Sequence, residues 1–236
     1  MSDGWFKTGY GSVHEQAAKS FSQEFRIGDG EKARIWFLNE EPRNFGQHDL
    51  YGLKQGMNKY TCRAGMPGGC PLCDVGHKAR FVGVFTIYDF GTRTIQRSES
   101  TVVDGSPQVR TVEETNDAGK GIKIYIQGVR VLKLLSQLHT REGGLVGCAW
   151  DIQRSGKSTD TTYNFMPVSS DVQLPPEVLG PDGKPRLLDM GKIYQPKAVE
   201  ELRAIAEMIA PKLDRGSAPK PQPQQGDGAF TSGVNF

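Results

Sequence analysis

HDLYGLKQGMNKYTCRAGMPGGCPLCDVGH, residues 48–77, carries three of the chain's four cysteines and two of its four histidines. Cys70 and Cys73, separated by two residues, can point at one cation, because the tight turn between them bends both side chains inward. Pro71 presets part of that turn, and Gly68 and Gly69 let the approaching backbone bend. Cys62 supplies a third sulfur from the other arm. One tetrahedral position is left for a nitrogen, and either His48 or His77 can fill it. Three sulfurs and one imidazole make a closed, structural zinc set, so the stretch predicts one Zn2+ that folds a segment poor in apolar residues.

The totals are consistent with this knuckle projecting from a larger domain. A chain of 236 residues can bury a real core. Its 36% hydrophobic and 24% charged content, with 29 glycines and 14 prolines, predicts a soluble protein built of short elements and many turns. The formal net charge is only +2, so any nucleic-acid footprint must come from how charges are distributed. Clustered cysteines at ligand spacing argue for a metal in a reducing compartment rather than for disulfides. Cys148, among apolar neighbours, reads as a small buried residue. The N-terminal residues have no apolar run of signal-peptide length, and no stretch approaches a membrane span. The expected location is the cytoplasm.

Outward from the knuckle, period-two patterns dominate. KARIWFL (32–38) reads as a strand entering a core, closed by the turn chemistry of NEEPRN. ARFVGVFTIYDF (79–90) has apolar or aromatic groups on both faces and reads as a central strand. Short edge strands are expected near 101–103 and 109–112, and another strand at 122–129. Residues 131–139 read as a helix that buries Leu135 and Leu138 and stops at Gly143 and Gly144. LVGCAWDIQR and TDTTYNFMPV, joined by SGKS, form the clearest hairpin. A second helix at 196–213 carries the stripe Val199, Leu202, Ile205, Ala206 and Ile209. Residues 1–30 read as a flexible arm with a short amphipathic helix near 14–25, and the Pro, Gln, Gly and Ser of 214–236 as a disordered tail. The fold expected is mainly β with few helices: residues 31–213 form a small, partly open oligonucleotide-binding (OB-fold) β-barrel, with the zinc knuckle at 48–77 inserted and a C-terminal helix appended.

The order His48, Cys62, Cys70-Pro-Leu-Cys73, followed by a basic and aromatic strand, resembles the zinc-containing single-stranded DNA-binding proteins of tailed phages, the T-even helix-destabilising type. His48-Asp-Leu-Tyr-Gly-Leu-Lys54 and Asn58-Lys-Tyr-Thr-Cys62 are similar to the segments that lead into the family's cysteines. The likeness spans residues 32–168 and is specific only in the Cys-Pro-Leu-Cys block. It implies metal ligands His48, Cys62, Cys70 and Cys73, with His48 favoured over His77. It also implies a protein that coats and protects single-stranded DNA, largely without reading sequence, in phage replication, recombination and repair. Its partners would be the strand, further copies of the chain along it and phage replication proteins, in the cytoplasm of an infected bacterium. One departure is the tail, which has little acid beyond Asp214 and Asp227 where the family carries a strongly acidic one.

Binding a strand by its backbone and base faces needs positive charge interleaved with aromatic rings. Between Lys54 and Arg97 there are seven Lys and Arg against two acids. The expected contacts are Lys54, Lys59, Tyr60 and Arg63 at the knuckle and Lys78, Arg80, Phe85, Tyr88 and Arg93 after it. Arg154 and Lys157 follow on the late hairpin. An enzyme is not expected. Four protein ligands can close the metal shell, and no His-x-Glu, P-loop or Gly-x-Ser-x-Gly is present. The alternative is a zinc-ribbon adaptor that binds protein and has no DNA affinity.

Overall fold

The computed structural model describes residues 24–51, 57–103, 106–157, 160–168 and 171–216. Its chain divides into two compact units, Met1–Gln47 with Arg80–Gln195 and His48–Ala79 with Pro196–Phe236. The last helix therefore groups with the knuckle rather than with the β core.

The strands are β1 (Glu31–Phe37), β2 (Arg43–Tyr51), β3 (Met57–Thr61), β4 (Arg80–Val103), β5 (Ser106–Asp117), β6 (Gly121–Gly128), β7 (Ala149–Ser155) and β8 (Thr162–Pro167). The helices are α1 (Pro71–Asp74), α2 (Val129–Glu142), α3 (Met190–Ile193) and α4 (Val199–Gly216), with a 3-10 turn at Pro176–Val178. The eight strands run in the order β3-β2-β4-β1-β7-β8, with β5 and β6 also paired to β4. β4 pairs antiparallel with β1, β2, β5 and β6, and β7 pairs antiparallel with β1 and β8. Among the described residues no pairing joins β3 to β8, so the sheet is not closed. The expectation of a mainly β chain with few helices holds.

β4 organises the first unit, and it is far longer than the strand expected at 79–90. Val82–Asp89 pairs with β6, whereas Thr92–Val103 pairs with β5 in a long ribbon. The change of partner falls at Gly91, whose φ is +85°. A β-carbon there would lie 2.8 Å from the Lys120 backbone nitrogen, so this pivot requires glycine. The edge strands expected near 101–103 and 109–112 are the two arms of this ribbon.

The main core lies between this sheet and α2. Ile35, Phe37, Phe85, Ile87, Tyr125, Trp150 and Ile152 meet Val131, Leu135 and Leu138 of the helix. Phe37 sits edge-on to Phe85 at 5.2 Å and to Trp150 at 6.4 Å. Burying one such ring contributes about 1.5–3 kcal/mol. The Trp150 Nε1–H donates to the Leu145 carbonyl at 2.8 Å, which satisfies its polar end. The other face of β4 is covered too, by Leu38 and Val178 around Tyr88 and by Met190 around Val84. Helix α2 ends at Gly143 in the left-handed conformation, as the sequence predicts.

A charged cluster is also buried here. The Asp89 carboxylate, fully buried, accepts from the two terminal guanidinium nitrogens of Arg93 at 2.9 and 2.6 Å and from Lys123 Nζ at 2.8 Å. The Gly91 N–H adds a fourth bond at 2.9 Å. The Arg93 guanidinium also lies over the Phe25 ring, 4.7 Å from its centroid. Burial alone would raise the Asp89 pKa; the bonds from Arg93, Lys123 and Gly91 outweigh it and lower it.

Candidate metal centre

The second unit is small, and its apolar content is split between two distant stretches of sequence. Leu50, Cys70 and Leu72 from the knuckle pack with Leu202, Ala206 and Ile209 of α4. These three α4 residues recur at helical spacing, the face expected from sequence. The helix begins at Val199, three residues after Pro196, with Glu200 and Glu201 in its first turn where the helix dipole favours acid. Arg63 fastens the knuckle to the approach of this helix by donating to the Lys197 carbonyl at 3.2 Å and the Pro67 carbonyl at 3.1 Å.

The candidate ligand residues come from three places. His48 lies on β2 and is fully buried. Cys62 follows the end of β3 and is partly buried. Cys70 caps the one-turn helix α1, and Cys73 lies within it. Gly69, with φ +66° and its N–H bonded to the Met66 carbonyl at 3.0 Å, makes the reversal that delivers Cys70. Pro71 at the first helical position is preorganised for the turn. The Cys70 carbonyl then accepts from the Cys73 and Asp74 N–H groups at 2.9 and 3.1 Å, which brings the two sulfurs to one side.

One ligand atom each from His48, Cys62, Cys70 and Cys73 lies within 4.8 Å of the others, so the group could hold one metal ion. His48 Nε2 is 3.4 Å from Cys70 Sγ and 3.6 Å from Cys73 Sγ. Cys62 Sγ is 3.5 Å from Cys73 Sγ. The ring of His77 is outside this group. Its Nδ1 lies 3.0 Å from the far nitrogen, Nδ1, of His48. Of the two histidines that spacing left open, His48 is the one facing the sulfurs.

The electrostatics suit a cation. Burial and the neighbouring His77 lower the His48 pKa, which keeps its imidazole neutral and able to donate a lone pair. Burial opposes ionisation of Cys70, but backbone N–H groups of Arg63, Cys73 and Leu72, with the Cys62 thiol, outweigh it and lower its pKa. Cys73 moves the other way: desolvation of its sulfur and the adjacent Cys62 and Cys70 push it up to about 12. Three sulfurs this close repel one another as thiolates unless a positive charge sits among them.

The expected nucleic-acid contacts differ in exposure. Lys54 lies outside the described residues. Lys78, Arg80 and Lys157 are exposed, and Lys59 is half-buried. Tyr60 is half-buried against the knuckle's apolar cluster. Arg63 spends its terminal nitrogens on the two carbonyls described above, and Arg154 donates to the Ile27 carbonyl at 2.9 Å. Three expectations are corrected by burial. Phe85 is 1% exposed and Tyr88 is 3% exposed, so neither offers a ring face to a base. Arg93 is 5% exposed and its charge is taken by Asp89.

Phe81, which shares the Phe85 side of β4 in the alternation, is instead 50% exposed. It lines a cavity of about 410 Å³ with Glu40, Phe85, Val129, Leu132 and His139. Alternation could not separate Phe81 from Phe85, because the difference depends on how far α2 covers the strand. The adjacent exposed Arg80 is the one local hint. Among the described residues no helix is long and apolar enough to cross a membrane. No family model, curated protein or solved structure matches this chain.

Proposed function

We propose that the chain is a zinc-stabilised single-stranded DNA-binding protein that coats and protects the strand, largely without sequence preference, and catalyses no reaction. The observation that carries the metal half is the spacing of the ligand atoms. A tetrahedral zinc with the usual bond lengths has nitrogen–sulfur edges of about 3.6 Å and sulfur–sulfur edges of about 3.8 Å. The chain brings His48 Nε2 to 3.4 and 3.6 Å from two sulfurs, and two sulfurs to 3.5 Å from each other. These edges support zinc over the larger, oxygen-seeking divalent ions, which thiolates bind poorly. His48, Cys62, Cys70 and Cys73 would hold the ion. It would supply the neutralising charge among three thiolates and act as a structural crosslink.

The nucleic-acid half rests on the likeness of the knuckle to the phage proteins and on the residues that remain accessible. Lys59, Lys78, Arg80 and Lys157 supply positive charge, and Tyr60 and Phe81 supply rings. We read the antiparallel sheet, with a helix between its sixth and seventh strands, as an opened oligonucleotide-binding barrel. Replication, recombination and repair, within the cytoplasm of an infected bacterium, are the processes such a coat serves. Further copies of the chain and replication proteins would be its partners.

The test is intrinsic fluorescence titrated with poly-dT and with matched duplex, at low and high salt, before and after chelation. Quenching by the single strand that weakens with salt, and is reduced in Tyr60→Ala and Phe81→Ala, is the expected result. A metal-loaded, folded chain with no response to either nucleic acid refutes the coating role and favours the protein-binding adaptor.

A further inference from the structure

We propose that His77 is the positioning residue of the metal centre: its Nδ1 accepts a hydrogen bond from the Nδ1–H of His48 and so holds Nε2 of His48 towards the three sulfurs. This rests on the metal reading above. A neutral imidazole has one nitrogen with a proton and one with a lone pair. His48 Nε2 is the nitrogen 3.4 and 3.6 Å from Cys70 and Cys73 Sγ, so its lone pair faces the ion's place and the proton belongs on Nδ1. At 3.0 Å from that Nδ1 stands Nδ1 of His77, which must then be the acceptor and carry its own proton on Nε2. The two rings are inclined at 56° with centroids 5.2 Å apart, so the contact is through ring edges and not stacking.

His77 is held independently. Its backbone N–H donates to the Leu72 carbonyl at 3.0 Å, inside the Cys70–Cys73 turn. The contact therefore ties the one ligand contributed by β2 to the turn that contributes two others. A metal-bound histidine gains basicity and a fixed ring plane from such an outer acceptor, and losing it costs roughly 10–100-fold in metal affinity. The second histidine of the knuckle thus has a role distinct from that of a competing ligand.

The experiment is cobalt(II) titration of the full chain and of His77→Ala, His77→Asp and His48→Ala, with zinc affinity measured by chelator competition. Ring nitrogen NMR of the zinc-loaded protein gives the tautomer of His48. The expected result for His77→Ala is an unchanged thiolate-to-cobalt band, zinc affinity lower by about 10–100-fold and loss of the hydrogen-bonded Nδ1 proton signal of His48. His77→Asp, which restores an acceptor, recovers part of the affinity. Unchanged affinity and an unchanged His48 proton signal in His77→Ala overturn the positioning role. So does a His77→Ala spectrum showing one nitrogen ligand fewer, since His77 would then bind the ion itself. A wild-type chain with no thiolate-to-cobalt band overturns the metal reading, and this inference falls with it.

Discussion

Asp89 and Arg93 show how much one buried side chain can decide. Arg93 counts towards the basic run in sequence, yet its guanidinium is closed off between a carboxylate and an aromatic ring. Asp89→Ala leaves Arg93 buried without its partner and is expected to lower stability by about 3–5 kcal/mol in urea unfolding. Asp89 also sets an acid dependence. Its folded pKa lies below the unfolded value, so its contribution is fully present above the ordinary carboxylate range. That contribution is lost as pH falls through the depressed folded value, and Asp89→Asn flattens the acid limb of a stability–pH curve. The same logic separates Phe81 from Phe85. Phe85→Ala should cost about 3–5 kcal/mol of stability, whereas the same change at the half-exposed Phe81 should cost far less and, under the proposed function, report on DNA binding.

At the scale of elements, the knuckle depends on a helix more than a hundred residues away in sequence. Leu202 is fully buried against Leu50, Cys70 and Leu72. Leu202→Ala is expected to cost about 2–5 kcal/mol. Because Cys70 belongs to that cluster, the same change should weaken retention of the proposed zinc ion in a chelator competition. An exposed change on the same helix, Met208→Ala, should leave zinc retention unaltered. The helix was legible as an amphipathic stripe. Its partner was not, since a stripe states which face needs cover and is silent on what covers it.

For the whole molecule, a net charge of +2 conceals an uneven distribution. If Lys59, Lys78, Arg80 and Lys157 each neutralise one phosphate, log affinity for single strands should fall with log salt at a slope of about −3. Lys78→Ala should then make that slope shallower by about 0.7. Division into two compact units carries a separate expectation. Stripping the proposed zinc ion with a chelator should collapse amide protection at residues 57–77 and 199–211, while β1, β6 and β7 keep theirs. Uniform loss of protection would mean that the metal supports the β core as well.

Local chemistry determined the elements of this protein. The spacing Cys70-Pro-Leu-Cys73 with Cys62 upstream, the alternating strands, the glycine stop after α2 and the stripe of α4 all depend on residues close together in sequence. Such patterns survive without knowledge of the fold. Phe85 and Arg93, expected as contacts and found buried, failed for the opposite reason. Phe81 and Phe85, or Arg80 and Arg93, are locally equivalent, and only non-local packing of α2, β6 and the Phe25 segment exposes one and buries the other. The histidine of the candidate metal cluster was of the same kind. Spacing admits either histidine, and the pairing of His48 with the sulfurs and of His77 with His48 arises only when β2 is laid beside the cysteine turn.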